Sequence, residues 1–167
     1  METLIGPSFY RDEELFQREN RELFLDCWCF ACFKSDLSKD GDYITRRIGG
    51  KPLFIRNFKG KYRAFENICS HRFSRIFTTE CGNGPVVCPY HGWRYDEEGL
   101  PSVIPKKPRF ADLDANRIGG LGLKEWNVET SGEFVFVHHN KGRLGLHDFL
   151  GETYALLEEM SQAMGDI

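Results

Sequence analysis

Cys69-Ser70-His71 and Cys88-Pro89-Tyr90-His91, with sixteen residues between them, decide how this chain is read. Each half supplies one thiolate and one imidazole. A loop can aim side chains at i and i+2 toward one point, and a Cys-Pro-aromatic-His turn can do the same at i and i+3. Two such loops facing each other make a four-ligand clamp with mixed sulfur and nitrogen donors. Zinc and iron–sulfur centres both accept that mixture.

A structural zinc ion takes two cysteines and two histidines in a tetrahedron. Zinc modules, however, usually pair like with like, C-x-x-C and then H-x-x-x-H, whereas each half here carries one of each. Plain packing would have to explain four good ligands in two tight pairs. A 2Fe–2S centre with two cysteines on one iron and two histidines on the other is therefore favoured over zinc, and zinc over no metal.

With its flanks included, the segment resembles Rieske proteins. More narrowly, it resembles the N-terminal domain of the large subunits of Rieske non-heme iron oxygenases, the aromatic-ring-hydroxylating type. The residues that carry the likeness are Cys69-x-His71-Arg72 and Cys88-Pro89-Tyr90-His91-Gly92-Trp93-x-Tyr95-Asp96, with Gly99 closing the next turn. It covers roughly Leu15 to His138. One departure is Phe73, where such sequences commonly carry glycine after the His-Arg pair.

The resemblance implies a Rieske-type 2Fe–2S cluster held by Cys69, His71, Cys88 and His91, with Arg72, Tyr90 and Trp93 around it. It implies a mainly β fold of Rieske-type stacked antiparallel sheets, with two metal-binding loops and terminal helices. It also implies partners: a reductase or ferredoxin as electron donor, and a mononuclear-iron catalytic domain or subunit. Family oxygenases are commonly trimeric, and in such a trimer His71 or His91 would face a carboxylate on a neighbouring catalytic domain. The mononuclear iron of that domain is held by two histidines and one carboxylate, in an Asp-x-x-His-x-x-x-x-His pattern. That pattern is absent from this sequence. His138 and His139 are neighbours near a strand end that would point to opposite faces, and they and His147 are read as core or surface histidines. The chain is thus read as the electron-accepting part of a ring-hydroxylating oxygenase, with no catalytic residue of its own. A free-standing Rieske ferredoxin is the alternative, and a zinc-binding interaction module a third reading.

Rieske proteins of respiratory complexes carry an extra cysteine in each loop and a serine after the second His-Gly pair. The corresponding positions here are Ser74, Tyr90 and Trp93. Without the serine hydroxyl, one hydrogen bond to a bridging sulfide is missing, which places the expected potential near roughly −150 mV, the low end of the range.

A chain of 167 residues suits one domain with a proper core. Its net charge of −3 argues against a general nucleic-acid binder. Met1-Glu2-Thr3-Leu4 lacks the basic start and apolar run of a secretory signal. The longest apolar run, Cys27 to Phe33, is too short to cross a bilayer. With two of the six cysteines committed as ligands, a reducing cytoplasm is expected rather than a disulfide framework.

Residues 1–26 are expected as an N-terminal helical segment, 27–145 as the Rieske domain, and 146–167 as a C-terminal helix or linker. Arg11 to Leu25 reads as an amphipathic helix with an imperfect stripe of Leu15, Phe16, Leu23 and Phe24. Cys27 to Phe33 reads as a buried strand, its Cys27, Cys29 and Cys32 serving as small hydrophobes rather than as a second metal site. Asp40-Gly41-Asp42 opens a β-meander: Tyr43 to Ile48, the Gly49-Gly50 turn, Pro52 to Asn57, the Lys59-Gly60 turn, then Tyr62 to Asn67. Lys106-Lys107-Pro108-Arg109 reads as a solvated loop, with a docking patch for an acidic redox partner as the sharper alternative. Leu123 to Glu129 and Glu133 to His138 form a last hairpin, its second strand deep in the core. Phe149 to Met164 is helical, with a stripe of Leu150, Tyr154, Leu157, Met160 and Met164 that must be covered by the β-domain or by a partner.

Overall fold

The meander expected from the two glycine turns forms as three consecutive antiparallel strands in the computed structural model, which describes residues 6–105, 120–140 and 144–165. They are β2 (Asp42–Ile48), β3 (Lys51–Phe58) and β4 (Lys61–Glu66). Both links are two-residue turns with consecutive positive φ angles, 54° and 77° at Gly49-Gly50 and 53° and 90° at Lys59-Gly60. That backbone matches the right-handed twist of the strands it joins.

Four more strands extend the meander into a seven-stranded antiparallel sheet. They are β1 (Cys29–Phe33), β5 (Cys81–Asn83), β8 (Glu125–Ser131) and β9 (Phe134–His138), and the sheet order is β1-β9-β8-β4-β3-β2-β5. A separate ribbon pairs β6 (Arg94–Tyr95) with β7 (Pro101–Val103). The fold is mainly β, as expected.

Period-two alternation gives the meander two buried faces. Phe54 and Phe58 of β3 and Phe65 of β4 point toward the β6–β7 side, where they meet Ile76, Phe77, Trp93, Tyr95 and both candidate cysteines. Leu53 and Ile55 of β3, Ala64 of β4 and Ile44 of β2 point the other way. Trp126, Val135 and Val137 of β8 and β9 close this second, mostly aliphatic core. The last hairpin is buried as expected: Val135 and Val137 are fully buried.

The helices depart from expectation in detail. Pro7–Arg11 is a 3-10 turn, and α1 (Glu13–Arg18) begins only after Asp12, whose carboxylate accepts the Glu14 and Leu15 N–H groups at 3.0 Å. The helix then widens to a π-helical stretch over Glu19–Phe24. Its expected apolar stripe is largely left open among the described residues: Leu15 is half-buried, Phe16, Leu23 and Phe24 are exposed, and Leu25 just beyond them reaches the aliphatic core. The strand expected from Cys27 begins at Cys29, and Cys27 lies in the preceding bend. Cys32 is buried and its thiol is pushed up to about 12, first by burial and then by Asp36, as befits a small core hydrophobe.

At the other end, Gly151 breaks the expected single helix into α2 (Leu146–Leu150) and α3 (Glu152–Met164). The helix folds back on the β-domain, where Leu150, Tyr154 and Leu157 pack against Trp28, Phe136 and Leu146. Met160 and Met164 of the expected stripe stay exposed, and Ser161 is the buried residue of the last turns. Its Oγ accepts the Glu133 N–H and donates to the Leu157 carbonyl, each at 2.8 Å. The basic run Lys106-Lys107-Pro108-Arg109 lies outside the described residues.

Candidate metal centre

β4 ends at Glu66, and the next residue, Asn67, anchors the first metal loop. Asn67 is fully buried. Its side-chain amide donates to the Phe77 carbonyl at 2.8 Å, and its side-chain carbonyl accepts the Ile76 and Phe77 N–H groups at 3.2 and 2.9 Å. One side chain thus ties the two ends of the 67–77 loop together. The second loop is set between Val86 and Tyr95, where the Tyr95 N–H donates to the Val86 carbonyl at 2.9 Å.

The two loops bring the four predicted ligand residues together as two like pairs. Cys69 and Cys88 are both 1% exposed and lie within interaction range of each other. The His71 and His91 rings meet edge to face, with centroids 4.6 Å apart. His71 is half-buried and His91 exposed. The sulfur pair therefore lies inside and the imidazole pair outside. Among the described residues no three histidine, cysteine or carboxylate groups converge on one point. A two-iron cluster with this ligand set needs one pair per iron.

The electrostatics of the donors fit a resident cationic centre. Burial raises the Cys69 thiol, and the adjacent Cys88 raises it further, while the Tyr95 hydroxyl and the His71 backbone N–H lower it. Two buried thiolates side by side persist only when metal charge neutralises them. Burial lowers the pKa of His71, helped by His91 and Arg72, and so favours the neutral ring that can ligate metal.

Tyr95 is the residue that sequence reasoning missed. It is 3% exposed and stays a phenol, its pKa raised first by burial and then by Cys69. Its hydroxyl lies 3.1 Å from the Cys69 sulfur, accepts the Ser70 N–H at 3.1 Å and lies 3.0 Å from the Ser70 Oγ. Ser70 spends its own proton on the Leu121 carbonyl at 2.6 Å. The Tyr95 proton is therefore left for Ser70 Oγ or Cys69, and a charged sulfur is the stronger acceptor. Tyr95 stood in the quoted motif, and the only further signal was its place two residues beyond Trp93.

Of the predicted surrounding residues, Trp93 stacks on His71 with centroids 4.9 Å apart and planes 3° from parallel. Tyr90 tilts against His91 at 3.9 Å. Arg72 is exposed on the loop surface. The remaining histidines are engaged elsewhere. His138 is buried against Trp28, His139 packs on Trp126 near Glu66, and His147 is exposed beside Asp148.

The Rieske [2Fe-2S] domain model matches residues 27–126. The chain belongs to the Rieske [2Fe-2S] domain family. Over 152 residues, 90% of the chain, it is 34% identical to the glycine betaine monooxygenase oxygenase subunit of Pseudomonas aeruginosa. Over 163 residues it is 31% identical to the benzene 1,2-dioxygenase subunit alpha of Pseudomonas putida. A crystal structure of naphthalene 1,2-dioxygenase with indole bound superposes with a TM-score of 0.81 at 33% identity, covering 92% of this chain and 35% of that one. The chain spans about a third of the length of the relatives it matches: 34% of the first and 35% of the second. A Rieske-type 2Fe–2S cluster is accordingly the cofactor of this domain. Among the described residues no helix is long and apolar enough to cross a membrane.

Proposed function

We propose that Cys69 and Cys88 hold one iron and His71 and His91 the other, and that the chain is the electron-accepting part of a ring-hydroxylating oxygenase. The pairing of buried sulfurs inside and imidazoles outside carries this reading. When bound, the cluster supplies a one-electron store. The chain's own residues do the rest. Cys69 and Cys88 lie in the Phe54–Phe65–Trp93 core, which keeps water from the sulfur side. Tyr95 donates a hydrogen bond to the Cys69 sulfur. Trp93 and Tyr90 fix the planes of the two imidazoles, leaving the His91 edge toward solvent.

In this reading residues 27–145 form the redox domain, flanked by helical segments at 1–26 and 146–167. Its partners are a reductase or ferredoxin that supplies electrons, and a mononuclear-iron catalytic domain or subunit that consumes them. In a trimer the exposed imidazole would face a neighbouring catalytic domain. Relatives that cover nine-tenths of the chain are oxygenase subunits, which favours this reading over a free-standing ferredoxin. Electron paramagnetic resonance before and after dithionite tests it. A silent oxidised state and a rhombic reduced signal of low average g are expected. A colourless, silent, zinc-containing protein would refute it.

A further inference from the structure

β1 and β2 touch, yet no strand ladder joins them. The guanidinium of Arg46 spans the two instead, its Nε donating to the Ala31 carbonyl at 2.7 Å. Beside that clasp both strands, the N-terminal helix and the Gly49–Lys51 turn line a cleft of about 890 Å³. Pockets that enclose small organic molecules span roughly 300–1,000 Å³. The turn meets the helix directly. A Cβ at Gly49 would lie 2.5 Å from the Leu25 side chain and 2.8 Å from the Asn20 carbonyl oxygen, so only glycine lets the two come so near.

The lining combines aromatic rings with unopposed positive charge. Phe16, Phe24 and Phe30 come from three different turns of chain, and each is between 43% and 53% exposed. Arg21, Arg47 and Lys51 share the cleft with them, and no acid lines it. Lys51 is engaged by Glu66 at 3.3 Å, whereas Arg21 and Arg47 form no ion pair with a described residue. The acids of the same helix are turned elsewhere: Glu19 and Glu22 line a separate groove with Arg18 and Leu23. The backbone adds an independent sign. Asn20, Arg21 and Phe24 all belong to the π-helical stretch, and π-helical turns are rare and concentrate at functional sites.

We propose that this cleft binds a planar aromatic carboxylate, with its rings against Phe16, Phe24 and Phe30 and its carboxylate on Arg21 and Arg47. The ligand class follows from the lining. Phenylalanine rings pack best on flat apolar groups, and a guanidinium is the donor that matches a carboxylate in geometry and charge. Arg21 stands on the helix and Arg47 on β2, so one carboxylate held by both would tie the helix to the sheet. The helix is otherwise held at that turn by the contact of Leu25 and Asn20 with Gly49. The site is an effector site on this domain, separate from the metal loops and independent of the one-electron reading above.

The test is isothermal titration calorimetry of the cluster-loaded chain with 2-naphthoate, and with uncharged 2-naphthamide as its control. Saturable binding of one naphthoate per chain is expected, with naphthamide at least about tenfold weaker for want of charge-assisted hydrogen bonds. Arg21→Gln with Arg47→Gln should weaken naphthoate about tenfold and leave naphthamide unchanged. Phe30→Ala should weaken both compounds alike. Bound naphthoate should slow amide exchange across Glu13–Phe24 several-fold, which reads the tie between helix and sheet directly. The resonance signal of the cluster should be the same with and without naphthoate. No saturable binding, equal affinity for the two compounds, or wild-type naphthoate affinity in the arginine variant would each overturn the proposal. Saturable binding of an acidic peptide such as Glu-Glu-Phe-Glu-Glu, with none of naphthoate, would overturn it in favour of a protein segment. Self-association on sedimentation that the arginine substitutions abolish, again without naphthoate binding, would overturn it in favour of a second copy.

Discussion

The hydroxyl of Tyr95 reaches a candidate ligand sulfur from another segment, 3.1 Å from Cys69. A donor at this point stabilises negative charge on sulfur, and that charge grows on reduction. Tyr95→Phe should therefore lower the reduction potential. A difference of about 1 kcal/mol between the two states corresponds to ~40 mV, on a scale of about 59 mV per tenfold change for one electron. Protein-film voltammetry would measure it, and an unchanged potential would show that the proton rests on Ser70 instead. The imidazoles set a second dependence. Reduction adds negative charge next to His71 and raises its affinity for protons. Between the oxidised-state and reduced-state pKa values the reduced protein binds a proton that the oxidised protein has lost. The potential must then fall as pH rises through that window, by about 59 mV per pH unit for each proton coupled to the electron. A potential that stays flat across the alkaline range would contradict a titrating imidazole beside the cluster. The four ligand positions were legible because their spacing is local, two residues apart in one loop and three in the other. Tyr95 and Asn67 were not, because their roles come from hydrogen bonds that close only in the folded chain, across 26 and 10 residues.

At the scale of elements, the most specific contact is the seat of α3 on the β8–β9 turn. Gly132 has φ 54°, and a Cβ there would run into the Ser161 side chain and the Leu157 carbonyl. Gly132→Ala combines a left-handed penalty with a collision and should cost about 2 kcal/mol, most of it expressed as loss of α3 from the hairpin. Ser161→Ala removes the acceptor for the Glu133 N–H and the donor to the Leu157 carbonyl without a collision and should cost about 1 kcal/mol. Hydrogen exchange along Glu152–Met164 would read both effects, and the cluster spectrum should not move in either variant. Equal protection of α3 in wild-type and Gly132→Ala would show that the helix is held elsewhere. This contact also explains why the helix stripe was only half legible. Apolar steps of three and four residues named Leu150, Tyr154 and Leu157 correctly, because they meet Trp28 and Phe136. The same steps named Met160 and Met164, although the close approach at Gly132 selects the small Ser161 one position on. The meander was fully legible for the opposite reason. Its turns are two-residue turns, at Gly49-Gly50 and Lys59-Gly60, and a turn of that length dictates the pairing of the strands on either side.

Among the described residues two cores lie back to back on one meander, with a smaller third cluster under α3, and the two differ in what holds them. The aliphatic core, with Ile44, Leu53, Ile55, Val135 and Val137, consists of strands packed on strands. The aromatic core includes both candidate ligand cysteines, so part of its wall comes from residues 67–77 and 86–95 rather than from long strands. Without metal, burial and the adjacent Cys88 favour the neutral thiol at Cys69, and the loops then rest on Asn67, Tyr95 and a few backbone bonds. Metal binding is therefore coupled to local rather than global folding. Removing iron with a chelator under reducing conditions should speed amide exchange in residues 67–77 and 86–95 by at least about tenfold, equivalent to ~1.4 kcal/mol of local stability. Protection of β1, β8 and β9 should stay within a factor of about two, since none of their core contacts passes through a ligand residue. A loss of protection spread evenly over both cores would mean that they unfold as one unit, with the cluster holding the whole sheet. Persistence of loop protection without metal would mean that Asn67 and Tyr95 alone organise the site. In that case iron could be lost and rebound at a loop that stays formed, and reconstitution would proceed at the same rate before and after brief denaturation.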